Sequence, residues 1–169
     1  MAFIKTGITT ISFADYQDVL DQDQRLFEAN EGLTEDIVED RLIRSTERIM
    51  SQLRSSVWWY DIYVTKTPDL VIRTVADVPA LDIERIQDRL NDFTDLCVYH
   101  TLYNYLLPKI ADFSTEDNAE RAKIGFYQQK YNDLFGELIS RGDWYNFDGT
   151  GDITSTDKKP GVYNLRRVR

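Results

Sequence analysis

Ile124, Tyr127, Tyr131, Leu134 and Leu138 recur at spacings of three and four residues, and Gly142 follows the last of them directly after Arg141. An apolar stripe of that period is one face of an α-helix, and a glycine just past its end is a natural C′ residue. The spacing therefore predicts a long helix that starts near Ser114 to Asn118 and stops at Gly142. It commits a chain of 169 residues to burying a helical face, and that length suits one domain with a core of its own. The tripeptide Arg141–Asp143 reads as that helix stop.

Two further helices carry the same kind of signal. Thr34 precedes Glu35 and Asp36, an acceptor side chain and acidic first turn suited to a helix start, and Val38, Leu42, Thr46, Ile49 and Leu53 then follow helical spacing to about Ser55. Ile83, Ile86, Leu90, Phe93, Cys97, Leu102 and Leu106 predict a helix from about Asp82 to Leu107, stopped by Pro108. Ser12, with Asp15 three residues later, marks a shorter helix near the N-terminus.

The stretch "VWWYDIYVTKTPDLVIRTVADVP", residues 57–79, is dominated by β-branched and aromatic residues and broken by Pro68 and Pro79. It reads as a long irregular loop with room for a short β-hairpin. Trp58 and Trp59 open it, and adjacent positions on a helix do not share a face. One of the two is expected in the core and the other over a loop or partner surface, with Trp144 and Tyr145 as further candidate interface aromatics.

The fold class expected is thus mainly α: a small antiparallel helical bundle, residues 1–142, with the long loop at about 57–79. An extended C-terminal arm, residues 143–169, follows. From Gly142 onward the chain spans about 90 Å if fully extended. "DGTGD" at Asp148 to Asp152 lacks the further oxygen ligands of a calcium loop and reads as a turn.

Charge separates this arm from the body. The formal net charge is −9, yet the last twelve residues, "KKPGVYNLRRVR", hold five basic groups and no acid. Positions 1–157 are left with 15 basic against 29 acidic residues, a formal −14. Such a body repels nucleic acid and anionic lipid unless it presents a local basic patch. Lys158, Lys159, Arg166, Arg167 and Arg169 interleave with Val162, Tyr163 and Leu165, a pattern suited to a partner surface.

Signals for catalysis are missing: no Gly-rich phosphate loop, no G-x-S-x-G, no H-E-x-x-H and no Cys/His cluster. Cys97 is the single cysteine and sits in an apolar run, where it reads as a small core residue; His100, the only histidine, follows three positions on, with no third orienting group marked. Asp88, Asp92 and Asp95 would share one helix face and, interleaved with Arg85 and Arg89, read as a solvated acidic stripe. Neither cofactor nor metal is expected. No stretch approaches the roughly 18 apolar residues of a membrane span, and the expectation is a soluble protein made in the cytosol.

Three segments in order, "EDRLIRSTERIMSQL", "RLNDFTDLCVYHTLYNYLLP" and "ERAKIGFYQQKYNDLFGELISRGDWYNFDGTG", carry a resemblance. The pattern over positions 34 to 151, with a third helix rich in Tyr and Lys and closed by "RGDW", resembles the head-to-tail connector, or head-completion, adaptor proteins of tailed bacteriophages. That resemblance implies a non-catalytic virion subunit, made in the host cytoplasm, that forms a ring, commonly twelvefold, beneath the portal. Its partners would be the portal ring, further copies of itself, and the next neck or tail-completion protein. DNA would pass through the lumen without specific binding, and extended termini would dock on the portal. A tail-side completion protein and a DNA-binding protein gripping duplex with its basic tail are the alternatives.

Overall fold

The computed structural model describes residues 4–6, 9–28, 30, 32–60, 80–111, 119–147, 149, 151 and 153. The protein is mainly helical with one small antiparallel hairpin. The hairpin pairs β1 (Ile4–Thr6) with β2 (Thr9–Ser12), Thr6 opposite Thr9 and Lys5 opposite Thr10, with a register shift between Ile4 and Lys5. It lies at the N-terminus, whereas the sequence suggested one within 57–79; residues 57–60 are helical, and 61–79 lie outside the described residues.

Helix α1 (Tyr16–Gln22) starts three residues later than the Ser12 signal implied. Ser12 closes β2 and donates to Ala14 O at 2.7 Å, and Asp15 takes over as N-cap. Asp15 Oδ1 accepts from Asp18 N at 2.9 Å while Asp18 Oδ2 accepts from Asp15 N at 3.0 Å, a reciprocal capping box that satisfies two otherwise orphaned donors. Helix α2 (Gln24–Glu28) follows after Asp23.

Helix α3 (Glu35–Arg54) begins at Thr34 as expected, although the Thr34 side chain makes no capping bond; its carbonyl accepts from Ile37 N and Val38 N. Val38, Leu42, Ile49 and Leu53 are completely buried, with Ser45 and Thr46 between them. Each such aliphatic side chain contributes about 1.5–3 kcal/mol on burial.

The single helix expected from Asp82 to Leu107 is divided. A 3₁₀ turn at Ile83–Arg85 gives way to extended backbone, and α4 (Leu90–Thr101) starts only after Arg89, whose φ of 56° and ψ of 33° are left-handed. The cause is the returning chain. Ile86 bridges Tyr145, Gln87 N donates to Trp144 O at 3.1 Å, and Asn146 N donates to Arg85 O at 2.9 Å, so these backbone groups serve a ladder instead of a helix. Such a conformation at a non-glycine residue costs on the order of 1–3 kcal/mol.

At its far end α4 runs on through a π-turn, Leu102–Leu106, into α5 (Leu107–Ile110), and Pro108 therefore does not stop the helix. Proline lacks an N–H and its ring presses on the carbonyl four residues back. The wider turn, in which Leu107 N donates to Leu102 O, accommodates it.

Helix α6 (Ala119–Arg141) buries Tyr127, Tyr131 and Leu138 and half-buries Ile124 and Leu134, the stripe read from sequence. Gly142 ends it with φ of 59°, its N–H donating to Leu138 O at 3.0 Å. The core lies where α4 packs against both α3 and α6.

Candidate interaction surfaces

Each tip residue singled out from sequence, Lys158, Lys159, Val162, Tyr163, Leu165, Arg166, Arg167 and Arg169, lies outside the described residues. What the fold does define is where the chain departs. The boundary expected at 142/143 falls inside the body: Trp144 and Asn146 are fully buried and Tyr145 is 2% exposed. Tyr145 Oη accepts from Asp82 N at 3.1 Å, Arg85 Nη1 donates to Phe147 O at 2.6 Å, and Asn146 joins Gln87 Oε1 to Gly149 N. Gly149 and Gly151 both have positive φ, 71° and 95°, a backbone that glycine adopts without strain; Asp148, Thr150 and Asp152 lie outside the described residues.

The interface aromatics are relocated by the structure. Trp58 and Trp59 are both buried, at 0% and 3% exposure, so neither ring lies on the surface of the single chain. Both neighbouring rings are buried because residues 144–147 of the exit segment pack against the helical turn at 57–60. Trp58 meets Trp144 at 4.4 Å between centroids, whereas Trp59 meets Tyr145 at 5.3 Å and Phe147 at 5.2 Å. Trp144 Nε1 donates to Leu138 O at 2.9 Å, tying this cluster to the end of α6.

Cys97 is completely buried and hydrogen-bonded to Thr46 Oγ1 at 3.4 Å; burial pushes its thiol up to about 12. His100 pairs through Nδ1 with Ser45 Oγ at 3.0 Å. Desolvation, reinforced by the nearby Arg48 charge, lowers the imidazole to about 4, so it stays neutral at physiological pH. The imidazole is thus neutral and buried, and the thiol three residues before it stays protonated. Among the described residues no group of three His, Cys, Asp or Glu side chains is placed to hold a metal ion, and no helix is long and apolar enough to cross a membrane.

The acidic stripe is also rearranged. Asp88 precedes α4 and accepts from Arg89 N at 2.8 Å, while Arg89 Nε pairs with Asp92 at 2.6 Å and Nη2 with Glu137 at 2.8 Å. Arg89 thereby fastens the start of α4 to the last turns of α6, and its hydrogen bond holds the Glu137 carboxyl below the usual range. Lys5 Nζ reaches Glu84 at 2.9 Å and Thr10 N donates to the same carboxylate at 2.6 Å, docking the hairpin on the 3₁₀ turn.

One groove opens between α4 and α6, about 400 Å³ in volume. Tyr99, Phe126 and Leu134 supply its apolar surface, and Asp95, Asp133 and Glu137 its carboxylates. Phe126 is 53% exposed, with Lys130 Nζ 5.6 Å from its ring centroid. Asp95 titrates above an ordinary carboxylate through partial desolvation and the neighbouring Asp92 charge. Reading the buried stripe of α6 passes over Phe126 because it stands one residue out of period, beside Tyr127. A large apolar residue off the core face is the signal that would have found it.

No family model, curated protein or solved structure matches this chain.

Proposed function

We propose that the chain is a structural, non-catalytic subunit of a tailed-bacteriophage virion: a head-to-tail connector adaptor. In this reading copies stand in a ring, commonly twelvefold in the resembling family, beneath the portal at the neck. They link the DNA-filled head to the next neck or tail-completion protein around a DNA channel. The observation that carries the reading is that the three resembling segments supply α3, α4 with its continuation, and α6, which build one core, and that the aromatic exit closes over them.

The charge distribution supports it physically. A body with a formal −14 over positions 1–157 does not hold passing phosphates, so DNA slides instead of sticking. The basic tip then engages an acidic portal surface, and repetition around a ring multiplies a weak contact. Arg166, Arg167 and Arg169 provide charge-assisted bonds, and Val162, Tyr163 and Leu165 the apolar anchors. The test is co-sedimentation with portal-bearing, tailless capsids, full-length chain against a chain ending at Asp157; binding to tails or to naked duplex instead points to the tail-side or DNA-binding alternative.

A further inference from the structure

The groove between α4 and α6 pairs apolar surface with an excess of negative charge, and the chain itself contains a segment of the opposite character. We propose that this groove is the resting dock of the same molecule's last dozen residues, 158–169, with Val162, Tyr163 and Leu165 against Phe126 and Leu134 and the arginines along the carboxylates. Charge complementarity is the first argument. The segment holds five cationic side chains and no acidic one, whereas the groove holds three carboxylates and one cation, Lys130. Glu137 is already shared by Arg89 at 2.8 Å and Arg141 at 3.2 Å, which leaves Asp95 and Asp133 as the open partners.

From Ile153 to Val162 the chain spans about 30 Å at full extension, more than the roughly 16 Å that the groove runs along α6 from Phe126 to Glu137. Tethering is the second argument, and it decides between copies. A segment joined covalently to its site meets it at an effective concentration in the millimolar range where the tether spans the gap, well above the micromolar concentration of other molecules in dilute solution, so the same molecule's segment fills the site first. The dock is independent of the connector reading: it keeps an adhesive arm covered, and any partner that uses the arm must compete it away.

Disulfide trapping in the full-length chain tests this. Gln129→Cys and Asn164→Cys place thiols on an exposed turn of α6 at the groove and in the segment, while Cys97, with no exposed surface, stays out of the reaction. Under mild oxidation by glutathione disulfide at micromolar protein, the expected product is an intramolecular bridge, identified by peptide mass. It should form several-fold faster than for Glu47→Cys with Asn164→Cys, whose first position is exposed on α3 outside the groove. Adding Asp133→Lys should slow it several-fold. A rate no greater than that of the Glu47 pair overturns the proposal, and so does a product that is mainly intermolecular, since the groove would then take another copy's end.

Discussion

Trp58 and Trp144 lie 4.4 Å apart between ring centroids, inclined by 31°, and both are fully buried. This contact joins the turn after α3 to the segment after α6, so the exit of the chain is part of the core. Trp144→Ala should destabilise the protein by about 3–5 kcal/mol, read from chemical denaturation. Trp144→Phe should cost about 1 kcal/mol more than Trp58→Phe. The reason is that Trp144 Nε1 gives up a bond to Leu138 O, whereas Trp58 Nε1 is buried without a partner among the described residues.

Asp23 and Lys123 form a bidentate pair at 2.9 and 2.7 Å that ties the α1–α2 junction to α6. The Asp23 side chain is 6% exposed and that of Lys123 is 36% exposed, so water screens the lysine end. Lys123→Ala, leaving the carboxylate uncompensated, should cost about 2 kcal/mol, below the 3–5 expected for a fully buried pair. The double variant Asp23→Asn/Lys123→Met should recover part of that loss in the same denaturation assay.

Two acid transitions should separate by pH. His100 titrates at about 4 in the fold against an ordinary 6.5, because burial and the Arg48 charge disfavour the imidazolium; Ser45, Tyr103, Tyr105 and Tyr131 complete its surroundings. The unfolded chain therefore binds the extra proton between pH 6.5 and 4, and stability falls as pH drops through that window, by at most about 1.4 kcal/mol per pH unit. Glu84 has the opposite chemistry and a lower window. Its bonds to Thr10 and Lys5 hold it at about 2, so its contribution is complete above 4.5 and is lost only as pH falls from there towards 2. Denaturation midpoints measured from pH 7.5 to 5 should decline in the parent chain and flatten in His100→Gln.

Cys97 should be inert to a thiol-specific reagent in the folded protein and react with one equivalent after unfolding. Complete burial and a thiol pushed up to about 12 leave neither access nor thiolate. Rapid native labelling would contradict that placement.

Helices α3 and α6 were legible because their own residues decide them: a buried period of three and four, an acidic first turn and a glycine stop. Where distant backbone decides, local pattern fails. Ile83, Ile86 and Leu90 keep helical spacing, yet Trp144 and Asn146 claim the backbone of residues 85–88, and Arg89 must turn left-handed before α4 can start. Pro108 reads as a stop until the π-turn before it is known. The tryptophan pair was misplaced for the same reason, since the wall for Trp59 comes from Tyr145 and Phe147, more than eighty residues away. As for the candidate surfaces, the basic tip was visible as charge, while the groove at Phe126 needed the packing of α4 on α6.

The connector reading is tested most directly by sedimenting the protein with portal-bearing, tailless capsids. The account predicts saturable binding by the full-length chain and its loss in a chain ending at Asp157. Failure of both to bind capsids, with the full-length chain instead binding tails or naked DNA, would contradict it.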